Sequence, residues 1–128
     1  MATKLNVATR DYVIFRTTDA TATVAATFSA KPLKIYWYEI KVAATYEDGS
    51  KGGTWWRQAA FRSDAASAVT QIGSTRSVVT DNEDTAGMDV TVAASTTTIA
   101  ATITGVAATN IQWAVSSDLK EVDYIPYT

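Results

Sequence analysis

Apolar and polar residues alternate with a period of two along nearly the whole chain, which is the signature of half-buried β-strands. Val13 and Phe15 lie on one face of a first predicted strand, with Tyr12 and Ile14 on the other. Val24, Ala26 and Phe28 alternate with Thr23, Ala25 and Thr27. The longest strand is predicted from about Lys34 to Tyr46, where Tyr36, Tyr38, Ile40, Val42 and Ala44 share a face and Glu39 and Lys41 point the other way. Glu47 to Gly53 reads as a hairpin loop, its glycines free to take positive φ, and Trp55 to Arg62 returns as the partner strand. Val69 to Ile72 and Arg76 to Val79 read as two short strands turned at Gly73-Ser74-Thr75. Asp81 to Gly87 forms an acidic loop. Three further strands follow, with Val90 and Val92, then Ile99, Ala101 and Ile103, then Ile111, Trp113 and Val115 facing inward. Gly105 to Asn110 turns between the last two.

About eight or nine short strands at this spacing, with no convincing helix, predict an all-β fold: an antiparallel β-sandwich or jelly roll. The expected organisation is a single domain over residues 1–128, with short arms at about 1–11 and about 118–128, the second able to add an edge strand from Leu119 to Tyr127 closed by Pro126. A chain of 128 residues has room for one well-packed core. Free strand edges must be managed in such a fold, and pairing with neighbouring subunits is one solution.

Composition narrows the chemistry. Apolar residues make up 47% and charged residues 19%, which excludes a disordered tail. Formal net charge is −2, which argues against a broad nucleic-acid-binding face. The chain has no histidine and no cysteine. Thiol nucleophiles, disulfides, zinc–thiolate sites, iron–sulfur clusters and His-based triads are therefore impossible within one chain. No signal-peptide pattern is visible at the start. Val90 to Ser117 lacks charge for long enough to span a membrane. Its Thr and Ser content, Asn110, Gln112 and strand alternation exclude that reading. The expectation is a non-enzymatic protein with no cofactor, no nucleic-acid partner and no membrane partner.

Three constellations remain. Asp81, Glu83, Asp84 and Asp89 offer the oxygens calcium wants, but without EF-hand spacing a solvated acidic loop is the plainer reading. Trp37, Trp55, Trp56 and Trp113 invite a sugar-stacking platform. Trp113 shares the phase of Ile111 and Val115, so it is expected in the core. Trp55 and Trp56 must face opposite ways, which places one outside the core or at a subunit contact. Arg57, Arg62 and Arg76 form either a local basic face with one of these tryptophans or ion pairs across the sheet. The low net charge favours ion pairs.

Several stretches resemble modules of tailed-bacteriophage structural proteins. They are Thr17-Thr18-Asp19-Ala20-Thr21-Ala22-Thr23, Tyr38-Glu39-Ile40-Lys41-Val42-Ala43-Ala44 and Trp56-Arg57-Gln58-Ala59-Ala60-Phe61-Arg62. Thr70-Gln71-Ile72-Gly73-Ser74-Thr75 and Asp81 through Val90 continue the likeness. Its clearest piece is Ile103-Thr104-Gly105-Val106-Ala107-Ala108-Thr109-Asn110-Ile111-Gln112-Trp113, similar to the motif that closes many modules of phage tail fibres and related virion proteins. The likeness spans about Thr17 to Val115 and includes no catalytic residue.

The resemblance implies a virion β-sandwich module, made in the host cytoplasm and carried on the outside of the particle. A module standing alone, without the other domains of a fibre, resembles a capsid decoration (cement) protein. Its implied partner is the major capsid protein, together with self-association as a trimer or dimer. The alternative is a tail or fibre accessory module that binds a host receptor or surface glycan. Exposure logic makes Leu5, Val7, Tyr12, Trp55, Trp56, Tyr124, Ile125 and Tyr127 the expected capsid contacts.

Overall fold

The computed structural model of the chain describes residues 12–123. It contains nine strands and, among the described residues, no helix. They are β1 (Val13–Thr17), β2 (Ala22–Ser29), β3 (Lys34–Tyr46), β4 (Gly52–Ser63), β5 (Val69–Ser77), β6 (Asn82–Glu83), β7 (Asp89–Ser95), β8 (Thr98–Thr104) and β9 (Ile111–Asp123). A six-stranded sheet runs β1-β9-β3-β4-β5, with the short β6 also paired to β4. A three-stranded sheet runs β2-β8-β7. Every pairing is antiparallel. The two sheets form the expected β-sandwich.

The period-two pattern decides what lies between the sheets. Tyr36, Tyr38, Ile40, Val42 and Ala44 of β3 all point inward, as do Ile111, Trp113 and Val115 of β9. Val90, Val92, Ile99, Ala101 and Ile103 meet them from the small sheet. Phe28 of β2 packs edge-on to Tyr38 with ring centroids 5.3 Å apart, and Trp55 lies 5.5 Å from Trp113. The Trp113 indole N–H donates to Thr17 Oγ1 at 2.9 Å, which pins edge strand β1 to the core. Met88 fills the space beside Val90 and is buried.

Four sequence expectations change. First, residues 118–123 are no arm. They continue β9 alongside β3, with Leu119 opposite Tyr38 and Asp123 opposite Lys34, because Leu119 still has core to cover. Second, the two short strands expected around residues 69–79 are one strand, β5. Its register against β4 shifts between Gln58 and Ala60, so Gly73-Ser74-Thr75 forms a bulge instead of a hairpin. Third, β2 has a bulge between Val24 and Ala26, so Val24 faces solvent while Ala26 and Phe28 face in. Fourth, the acidic loop is partly ordered as a strand: Asn82 and Glu83 pair with Thr54 and Gly53.

Candidate functional site

The solvent-facing side of the six-stranded sheet is built from the residues that alternate with the core positions. Its register places side chains in rows across the strands. Val122 of β9, Ile35 of β3 and Arg62 of β4 form one row. Lys120, Trp37, Ala60 and Ile72 form the next. Asp118, Glu39, Gln58 and Arg76 form the third, followed by Ser116, Lys41 and Trp56. An antiparallel sheet with one wet face ordinarily puts polar residues there. Here Trp37 is 50% exposed, with Ile35, Ile72 and Val122 exposed around it.

Two cations lie flat on this face. The Lys120 Nζ sits 5.0 Å from the centroid of Trp37, and the Lys41 Nζ sits 4.4 Å from that of Trp56. Gln58 Nε2 donates to Glu39 Oε2 at 2.8 Å. The β5 bulge raises one wall of a shallow groove of about 380 Å³, lined by Trp37, Gln58, Ala60, Ile72, Ser74 and Arg76.

The three arginines divide. Arg57 points inward and is buried, where its guanidinium makes a two-pronged contact with Asp81 (Nη2 to Oδ2 at 2.8 Å). It also donates to the Val90 carbonyl and to Ser77 Oγ. The Arg57 hydrogen bond is the main cause that holds the Asp81 carboxyl below its usual range. Arg62 and Arg76 point outward on the face that carries Trp56 and Trp37. Ion pairing and a basic face are thus both realised, by different arginines.

The acidic loop is turned toward protein donors. Asp81 serves Arg57, Asp84 accepts the Gly52 amide, and Asp89 accepts the Val90 amide. Among the described residues no group of three or more carboxylates is arranged to hold a metal ion. No helix among them is long and apolar enough to cross a membrane.

The expected contact residues separate sharply. Trp55 is corrected: at 2% exposure it belongs to the core, its ring tilted against that of Trp113, and is closed off from a partner. Trp56 lies half-buried on the outer face beneath Lys41. Tyr12 is exposed and borders a shallow apolar hollow with Ile14, Ala43 and Ala114 at the far end of the same face. Leu5, Val7, Tyr124, Ile125 and Tyr127 lie outside the described residues. Trp37, weighed from the sequence as a platform residue, is exposed on this face, and Ile35, Ile72 and Val122, not singled out from the sequence as contacts, are exposed around it. The signal lies in β3, where Ile35 and Trp37 occupy polar-phase positions of a strand whose other face already carries Tyr36, Tyr38, Ile40, Val42 and Ala44.

No family model matches the chain, and no curated protein matches it. A solved structure similar to it is the tailspike protein of the Acinetobacter phage vB_ApiP_P1, with 14% sequence identity and a TM-score of 0.40. The match covers 95% of this chain and 24% of the tailspike chain, so the chain spans about a quarter of that protein's length. A likeness at that level carries no argument about function.

Proposed function

We propose that the chain is a structural protein of a bacteriophage particle, and more narrowly a capsid decoration protein. It docks on the outer surface of the assembled head, with the major capsid protein as partner. The observation that carries this reading is the group of exposed apolar side chains in two neighbouring rows, Ile35 with Val122 and Trp37 with Ile72, on the outer face of the six-stranded sheet. Contiguous apolar residues with a polar rim are what a protein-docking surface requires. The phage-like strand and turn motifs between Thr17 and Val115 support the virion setting. The action is linkage, without catalysis. A protein that binds the assembled head better than loose subunits stabilises the assembled state by that difference in affinity.

Quantitative mass spectrometry of purified particles, measured against the major capsid protein, tests the reading. Hundreds of copies per particle are expected. A handful of copies would move the chain to the tail, and none would overturn the virion assignment.

One observation favours a second reading, a glycan-binding tail module. The exposed Trp37 ring borders a groove that also presents Gln58, Ser74 and Arg76. An aromatic face beside hydrogen-bonding side chains suits a sugar. On that reading, host surface glycan quenches tryptophan fluorescence and the quenching disappears in Trp37→Ala. Decoration requires no sugar.

A further inference from the structure

Cations are not spread evenly over this molecule. Among the described residues Arg16 pairs with Glu47, Lys31 with Glu121, Lys34 with Glu121 and Asp123, and Arg57 with Asp81. Lys41, Lys51, Arg62, Arg76 and Lys120 have no carboxylate within ion-pair distance there. Four of these five, all but Lys51, project from the outer face of strands β3, β4, β5 and β9. The carboxylates on the same strands' outer face are Glu39 and Asp118, and Glu39 already accepts from Gln58. Four cations against two carboxylates make this face positive on a chain whose net charge is −2. Lys41 and Lys120 are held against Trp56 and Trp37, so their charge stays at the sheet surface.

We infer that the surface docked on this face is an acidic protein surface with an apolar centre. The inference rests on the docking reading above and adds the chemistry of the partner. A second copy of the chain fits poorly, because two positive faces repel. A sulfated glycan or a nucleic-acid backbone would satisfy the cations but offers little to cover Ile35, Ile72 and Val122. An acidic protein patch around apolar residues satisfies both.

The test uses expanded heads that lack this protein, from the phage that encodes it. Binding of the full chain is measured at about 50 mM and about 500 mM salt. The chain with Arg62→Glu and Arg76→Glu is compared with Lys51→Glu, a control that reverses a single charge on the hairpin loop. Wild-type binding is expected to weaken as salt rises. At about 50 mM salt the double variant should bind roughly tenfold or more weakly than wild type, and the control within about twofold of it. A second pair, Lys41→Gln with Lys120→Gln, should weaken binding in the same direction, and thermal melting verifies that each variant is folded. If the charge variants bind heads as tightly as wild type, the acidic-partner inference fails and the docking reading stands. If wild type does not bind heads at all, both fall. Binding of heparin or single-stranded DNA as tight as that of heads, and lost in the same variants, would also overturn the inference in favour of a polyanion.

Discussion

Arg57 sits in the inward phase of its strand, between Trp55 and Ala59, and its charge is tolerated there only because it is answered. Asp81, Ser77 and the Val90 carbonyl together take up its guanidinium donors. Removing the counter-charge leaves a buried cation unpaired, with only the more exposed Asp89 at 3.7 Å. Asp81→Asn is therefore expected to destabilise the fold by roughly 3 kcal/mol in urea denaturation. The same pair sets an acid limit. The Asp81 carboxyl titrates lower in the folded chain than in the unfolded one. Its contribution is complete above the unfolded value, near about pH 4, and fades as pH falls through the lower folded value. Wild type should lose stability below about pH 4 more steeply than Asp81→Asn. A second buried contact, Trp113 to Thr17, predicts that Thr17→Val costs roughly 1–2 kcal/mol, since the indole donor is left without an acceptor in the core.

Elements are shaped by a few backbone positions that side-chain alternation does not reveal. Gly73 opens the β5 bulge at φ +72°, with empty space where a Cβ would go. Gly73→Ala should therefore cost only the left-handed penalty, about 1 kcal/mol. Gly105, at the turn before β9, is different. A Cβ there would lie 2.5 Å from Thr17 Oγ1 and 2.7 Å from the Asp19 carbonyl oxygen. Gly105→Ala has to displace backbone and the Thr17 hydroxyl that receives Trp113, so a larger loss of about 2–3 kcal/mol is expected in the same denaturation series. Strand positions and inner faces are legible for β3, β7, β8 and the first half of β9 because their apolar residues alternate there. The β2 and β5 bulges are not: the residue inserted in β2 reverses the phase with nothing in Val24-Ala25-Ala26 to announce it, and Gly73-Ser74-Thr75 reads as a turn between two strands when it is a bulge within one. The end of β9 falls in a stretch expected as an arm that adds an edge strand from Leu119, because polar Ser116, Ser117 and Asp118 dilute the pattern before Leu119 resumes it.

At the scale of the molecule, long-range pairing dominates. β1 pairs with β9, joining the two ends of the described chain, and β9 then sits between β1 and β3 in the middle of the large sheet. Loops must close before such contacts form, so stopped-flow refolding is expected to be slow for a small domain, on the order of milliseconds to seconds. The outer face of that sheet contributes little to this stability. Trp37→Thr should leave urea stability within about 0.5 kcal/mol of wild type, as for surface positions generally, while under the decoration reading proposed above it weakens binding to heads. A large loss of stability would instead make Trp37 part of the fold, with no docking role.

By itself the sequence determined the class of fold, most inner faces, the burial of Trp113 and the absence of thiol and imidazole chemistry, because each follows from local alternation or from residue types. Only the tertiary structure decided which of Trp55 and Trp56 turns inward. Both phases of that strand carry a tryptophan and an arginine, and the choice is made by Asp81, brought in from a distant loop to meet Arg57. Only the tertiary structure, likewise, gathered Lys41, Arg62, Arg76 and Lys120 around Trp37. These residues come from four strands, and their adjacency exists only once the strands are in register.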